Sequence, residues 1–398
     1  MGKVKLGDIA VLINGDRGKN YPSQKEIITS GGIPFVNAGH LNGRAIEFEA
    51  MNYITPEKYE KLNSGKFQQN DILYCLRGSL GKKALINDNI YGAIASSLVI
   101  IRPNLEKVRP QYLMLALETP LIKEQLFKFN NGSSQPNLSA KSVKEYKLEL
   151  PDLFIQDSII SKLEKVRNLI EDEKQEKLLL DNLIQARFVE MFGDPATNPY
   201  NWDKINISEV VGDKVSNGFF AKRDDYADDG NVSVMGVAYI VNRMYSQWQD
   251  LPRTNGTDKD IEKFEVKYGD MLFCRSSLVA EGIGKASIVP EDVPQNTLFE
   301  CHVIRLPLDL SKCVPEYMQV FSTMEYFRRQ IIAQSKTATM TTIGQDGILK
   351  ADILLPPMSK QREFYAFVHQ VNKSKVAVQK ALDETQILFD SLMQKYFG

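Results

Sequence analysis

Two stretches of this chain repeat apolar residues with a 3.5-residue period. From about Gln156 to Gly193 the seam carries Ile159, Leu163, Val166, Ile170, Leu180, Ile184 and Met191. From about Gln361 to Gly398, an offset of 205 residues, it carries Phe364, Val368, Val371, Val378, Leu382, Phe389, Leu392 and Tyr396. Such a period, sustained over the whole stretch, predicts two coiled-coil helices rather than two surface helices. Polar residues interrupt both seams: Glu173 and Lys177 in the first, Lys375 and Thr385 in the second. Antiparallel packing would bring Lys375 near Glu173 or Lys177, and interior polar groups of this kind are used to set register.

The same duplication runs through the rest of the chain. Short strand-like runs recur in order: GGIPFVNAG (31–39) with NVSVMGVAY (231–239), NDILYC (70–75) with GDMLFC (269–274), LGKKALI (80–86) with IGKASIV (283–289), and LVIIRP (98–103) with HVIRLP (302–307). Two shorter helices follow in each copy, around 110–118 with 121–129 and around 315–323 with 325–334. Pro110 and Pro315 stand near helix starts, where the missing N–H costs nothing. LELPDLFIQ (148–156) matches ILLPPMSKQ (353–361) ahead of each long helix, and both helices close on Phe-Gly. The expected organisation is a globular region over 1–155, a helix over 156–193, a linker over 194–203, a second globular region over 204–357 and a second helix over 358–398. The fold class is α+β: a tandem repeat of two globular domains, each followed by a long helix, with the helices forming an antiparallel coiled coil.

Composition narrows the function. With 43% hydrophobic and 25% charged residues this is a globular sequence. The longest apolar run, 91–101, is too short for a bilayer. The opening MGKVKLGDIA carries no secretory apolar core. Four cysteines form neither a disulfide framework nor a zinc-site spacing, so all four are expected as reduced, buried thiols in a cytoplasmic protein. The overall net charge of −1 hides an asymmetry: counted by region it is +5 over 1–155 and −5 over 201–357. The second region would therefore bind DNA only through a local clustering of its basic residues.

Polar and basic loops are the candidate chemistry. Arg77 and Lys82 lie in a glycine-bounded loop after a strand, where N–H groups and cations can meet phosphates and arginine can read guanine. A hairpin with solvated lysines has the same sequence. Ser134, Gln135 and Asn137 lie in NGSSQPNLS, and Gln or Asn can pair with adenine, although Asn and Pro also serve turns. The second copy offers Lys336, Thr339 and Thr342 at that place. Asn14, Arg17, Lys19, Asn20 and Tyr21 form an Asn-Gly loop matched by Asn217, Lys222 and Arg223. Asn37, His40, Asn42 and Arg44 form another, in which His40 reads as a polar loop residue rather than a base. Tyr239, Arg243, Arg275 and Ser276 complete the set in the second copy. The chain carries no G-x-G-x-x-G, no Walker pair, no Asn-Pro-Pro-aromatic tetrapeptide, and no His/Cys metal cluster. No catalytic, cofactor or metal residue is therefore proposed.

Taken in this order, the duplicated globule-plus-helix plan resembles the DNA-specificity subunit of type I restriction-modification systems. The strand starts at Asn70-Asp71 and Gly269-Asp270, the Gly-Ser-Ser-Gln-Pro-Asn-Leu loop and the Leu-Pro…Gln helix starts carry the resemblance over essentially the whole chain. It implies two target-recognition domains, each reading one half of a bipartite asymmetric site in double-stranded DNA. It implies that the helices act as spacer and dock two modification (methyltransferase) subunits, with two restriction subunits in the full complex. S-adenosylmethionine is expected on the modification subunits and no cofactor on this chain. The loop at Lys336 departs from the family pattern. The competing readings are a methyltransferase or nuclease with an unfamiliar site, and a coiled-coil scaffold without a DNA role.

Overall fold

The computed structural model describes residues 2–130 and 137–398. The chain divides into two compact units, Met1–Glu173 with Ala381–Gly398, and Lys174–Lys380. Two continuous helices, Leu153–Phe192 and Met358–Phe397, contribute one end to each unit.

In the first unit, a four-stranded antiparallel sheet runs in the order Ala10–Asn14, Leu98–Pro103, Ile72–Cys75, Lys83–Leu85. Its strands are nearly continuous apolar runs because helices and a second sheet cover its faces. The second sheet pairs Ile33–Val36 in parallel with Gly92–Ile94. Helices Pro110–Ala116 and Pro120–Phe129 begin on proline, the latter capped by Thr119.

The second unit repeats this plan. Its sheet runs Ser216–Asn217, Val303–Pro307, Asp270–Cys274, Ala286–Ile288. Val232–Met235 pairs in parallel with Thr297–Phe299. Helices Pro315–Thr323 and Glu325–Gln334 follow.

Matching polar residues hold each unit in the same way. Asn70 and Gly269 stand at φ of 70° and 83°, the left-handed region open to Gly and tolerated by Asn. Each positions the aspartate after it. Asp71 accepts from Gln68 N–H and takes a bidentate pair from Arg102 at 2.8 and 2.7 Å. Asp270 accepts from Lys267 N–H, and Arg305 lies 3.8 Å away. The helix starts lie at Leu153 and Met358, one turn ahead of the glutamines that mark them in the sequence. This leaves Gln156 and Gln361 in the first turn, fully buried. Gln156 accepts from Arg109 N–H and donates to Lys107 and Pro151 carbonyls. Gln361 does the same with Val314, Lys312 and Pro356.

Within each unit the two helices run antiparallel. In the first unit Thr385 Oγ1 donates to Glu173 Oε1 at 3.1 Å, and Arg167 lies over the Phe389 ring. In the second, Lys177 Nζ donates to Gln379 Oε1 and Lys375 Nζ to Asp181 Oδ1. Expected near Glu173 or Lys177, Lys375 pairs with Asp181, one turn beyond Lys177, while Lys177 meets an amide and Glu173 meets Thr385. Heptad position alone leaves this register open, because several polar residues lie within one turn of each other.

The heptad seam also gives way toward the helix ends. Phe188 and Phe192, off the seam read from the sequence, are almost fully buried. Their rings pack on Tyr317 and Phe364, with centroids 4.9 to 5.6 Å apart. The contacts come both from the globule, through Tyr317, and from the partner helix, through Phe364. The buried-thiol expectation holds for Cys75, Cys274 and Cys313, whereas Cys301 is half-buried at the edge of a loop.

Candidate nucleic-acid interface

Three loops of the first unit meet at one edge of its main sheet, where the Ala10–Asn14 and Ile72–Cys75 strands end and the Leu98–Pro103 strand begins. The Asn14-Gly15 turn lies against Ala95, so closely that a Cβ on Gly15 would stand 2.8 Å from the Ala95 carbonyl. Asn14, Arg17 and Lys19 are exposed there, and Arg17 donates to the Ser96 carbonyl at 3.3 Å. Leu76 N–H donates to Ser97, and Leu138 N–H donates to Leu76. This brings Arg77 and Asn137 into an antiparallel bridge, with Arg77 Nε donating to Asn137 Oδ1 at 3.3 Å. Both side chains are exposed. No hydrogen bond to its terminal guanidinium nitrogens is present among the described residues, which leaves them open to a bidentate acceptor. Ser134 and Gln135 lie outside the described residues.

The second unit builds the same edge with other side chains. Gly218 stands where Gly15 does, and a Cβ on it would lie 2.2 Å from the Glu300 carbonyl. The shared Asn-Gly is therefore a close-approach requirement, and the exposed Lys222 and Arg223 follow it. Arg275 N–H donates to His302, and Ile343 N–H donates to Arg275, repeating the Leu76 pattern. Ser276 then bridges Thr342 as Arg77 bridges Asn137. Lys336 pairs with Thr342 on the other side, and Lys336, Thr339 and Thr342 are exposed.

Several candidates are spent inside the fold. His40 is 8% exposed, its Nδ1 accepts from Asn37 N–H, and burial pushes its pKa down. Asn37 accepts from Gly39 N–H and Asn42 from Arg44 and Ala45 N–H, which are turn contacts. One terminal nitrogen of Arg44 donates to both carboxylate oxygens of Glu164 on the first long helix. Tyr21 is half-buried against Phe35, and Asn20 is half-buried. Tyr239 donates to the Asp250 carbonyl. All three nitrogens of Arg243 donate to neighbours within its own loop region. Arg275 donates to the Cys301 carbonyl and takes the place of Leu76, not of Arg77. Lys82 and Asn217 are half-buried. Sequence reading left out Ser96, Ser97 and His302 at the same edge. The register read from the sequence set His302 against Leu98; backbone pairing shifts it by one, so that His302 takes the place of Ser97.

Among the described residues no group of His, Cys, Asp or Glu is placed to hold a metal ion. No helix, among the same residues, is long and apolar enough to cross a membrane.

Two units of one topology, each with an edge of exposed polar loops and each holding one end of a helix pair, define a tandem recognition protein. Residues 1–181 match the family described as the type I restriction modification DNA specificity domain. Over 98% of its length the chain is 20% identical to the type I restriction enzyme MjaIX specificity subunit of Methanocaldococcus jannaschii, covering 91% of that protein. In fold it is similar to the type I restriction-modification S subunit from M. genitalium, with a TM-score of 0.57, 12% identity and coverage of 100% and 96%. A chain from a structural study of complex assembly and conformational transition of the type I R-M system gives a TM-score of 0.57 at 17% identity, with coverage of 99% and 96%. The chain is thus similar over its length to type I restriction-modification specificity subunits, and residues 1–181 match the type I DNA specificity domain.

Proposed function

We propose that this chain is the sequence-reading, non-catalytic subunit of a type I restriction-modification complex. Each unit reads one half of a bipartite, asymmetric site in double-stranded DNA. The helix pair sets the gap and docks two modification subunits, which carry S-adenosylmethionine. Two restriction subunits join the full complex in the cytoplasm. The observation that carries this reading is the duplicated sheet edge, built on one backbone plan with Arg77 and Asn137 in one unit and Ser276 and Thr342 in the other. A shared scaffold with different side chains suits two readers of different half-sites. The helices support the docking role. Leu178, Leu179, Leu183 and Val376 are 46–71% exposed in the second unit, and Leu169, Ile387 and Leu388 are 49–68% exposed in the first. Exposed apolar side chains in such number on paired helices mark a protein contact.

The test is methyl transfer in purified components. The chain alone should neither bind S-adenosylmethionine nor methylate DNA, and adding the cognate modification subunit should produce sequence-specific methylation. Methyl transfer by the chain alone would contradict the reading.

A further inference from the structure

Lys83 is a mostly buried lysine in the main sheet of the first unit. It opens the strand Lys83–Leu85, opposite Tyr74, and is 8% exposed. No hydrogen bond or ion pair to its ammonium is present among the described residues. Burial pushes its pKa down, with Glu118 opposing. The side chain is mostly buried, and a charge held there gives up part of its hydration. The sheet itself does not demand a lysine there: the matching position, opposite Phe273 in the second unit, is Ala286.

Lys83 lines a cleft of about 540 Å³ within this unit. Its walls include Pro120, Phe389, Met393 and Phe397, and the exposed Lys123 stands at its rim. The two nearby acids are already engaged. Glu118 takes Arg167 at 2.7 Å, and Asp390 accepts from Gln386 at 3.0 Å. The cleft therefore joins apolar walls to an unpaired cation in its lining.

We propose that this cleft is a socket for a protein partner, receiving a carboxylate side chain that sits beside an apolar one on the partner's surface. The carboxylate pairs with Lys83 and the apolar neighbour packs on the Phe389 and Met393 side of the wall. A free small anion would match the charge alone. The apolar walls lie on the last turns of the same long helix that carries the exposed Ile387 and Leu388, which favours a docked segment. The proposal rests on the reading above that the helices dock the modification subunit.

The experiment uses the full chain with its modification subunit. Zero-length carbodiimide coupling of the wild-type complex should join Lys83 to an aspartate or glutamate of that subunit, read by peptide mass spectrometry. Lys83→Met keeps the side-chain length and removes the charge. It should weaken binding of the subunit by about tenfold or more, while the unfolding midpoint of the chain stays level or rises. Lys83→Ala, the residue of the second unit, should behave alike in binding. Binding unchanged by both variants, with no Lys83 crosslink in a complex that does form, overturns the socket and leaves the specificity-subunit reading intact. Failure of the wild-type chain to bind the subunit at all overturns both. A rise in the wild-type unfolding midpoint with inorganic phosphate alone, lost in Lys83→Met while subunit binding is unchanged, makes this a small-anion site and overturns the docking proposal.

Discussion

The Val314 backbone N–H donates to Oε1 of Gln361 at 2.8 Å, which ties the start of a short helix to the first turn of a long one. The amide nitrogen of Gln361 satisfies the Lys312 and Pro356 carbonyls from the same buried position. A glutamine is the side chain that can accept one bond and donate two here. Gln361→Ala should leave these groups unpaired and lower the stability of the second unit by about 2–3 kcal/mol. Hydrogen exchange resolved by unit should show the loss in the second unit only, and Gln156→Ala should show it in the first. A loss below about 0.5 kcal/mol would contradict the role given to these amides.

Asp270 makes the second unit sensitive to pH. Burial raises its pKa to about 6, against the Lys267 N–H bond and the Arg305 charge, which lower it. A carboxyl that holds its proton more tightly when folded adds stability below its unfolded pKa of about 4 and loses it as pH rises toward 6. The span corresponds to roughly 3 kcal/mol. Asp270→Asn cannot titrate. The stability difference between wild type and this variant should therefore change by that order between pH 4 and 6, with wild type losing ground as pH rises. A difference that stays flat across this window would contradict the buried, desolvated carboxyl.

Much of this fold is legible in the sequence because it is written twice. The matched Leu-Pro…Gln stretches became two buried glutamines with the same hydrogen bonds, and the matched Asn-Gly turns became two close backbone approaches. The site was less legible. His40, Arg44 and Arg243 have the composition of DNA-contacting residues, but their partners come from distant segments or from their own loop's folding. The matched runs that end at Cys75 and Cys274 already place Ser276 opposite Arg77, and the backbone pairing agrees. The seam displacement at Phe188 has the same origin, since the globule it enters is remote in sequence.

Arg77 should act as a base reader. Its Nε is held by Asn137, which leaves the end of the guanidinium for O6 and N7 of a guanine. Arg77→Ala should cost about 1–3 kcal/mol of binding and relax one position of the half-site read by the first unit. Competition binding with single-base variants of the target is the measurement. A loss equal for every sequence would assign the residue to phosphate.

The helices should set the number of unspecified base pairs. A heptad inserted into each helix, after Glu173 and before Ala381, keeps both seams in phase and adds about 10 Å of helix. The gap in the recognised site should grow by about one to three base pairs while both half-sites keep their sequence. Binding should also weaken, because the longer gap turns one half-site around the duplex. An unchanged gap with full activity would show that the spacing is set elsewhere.

The most direct test maps methylated adenines in cells that express this chain with its modification subunit. It compares the native chain with a chimera in which residues 4–150 come from another type I specificity subunit. The expected map for the native chain is a single bipartite motif with a fixed gap, and the chimera should change one half of it and leave the other half untouched. A chimera that alters both halves, or a native map without a bipartite motif, would contradict the assignment of one DNA half-site to each unit.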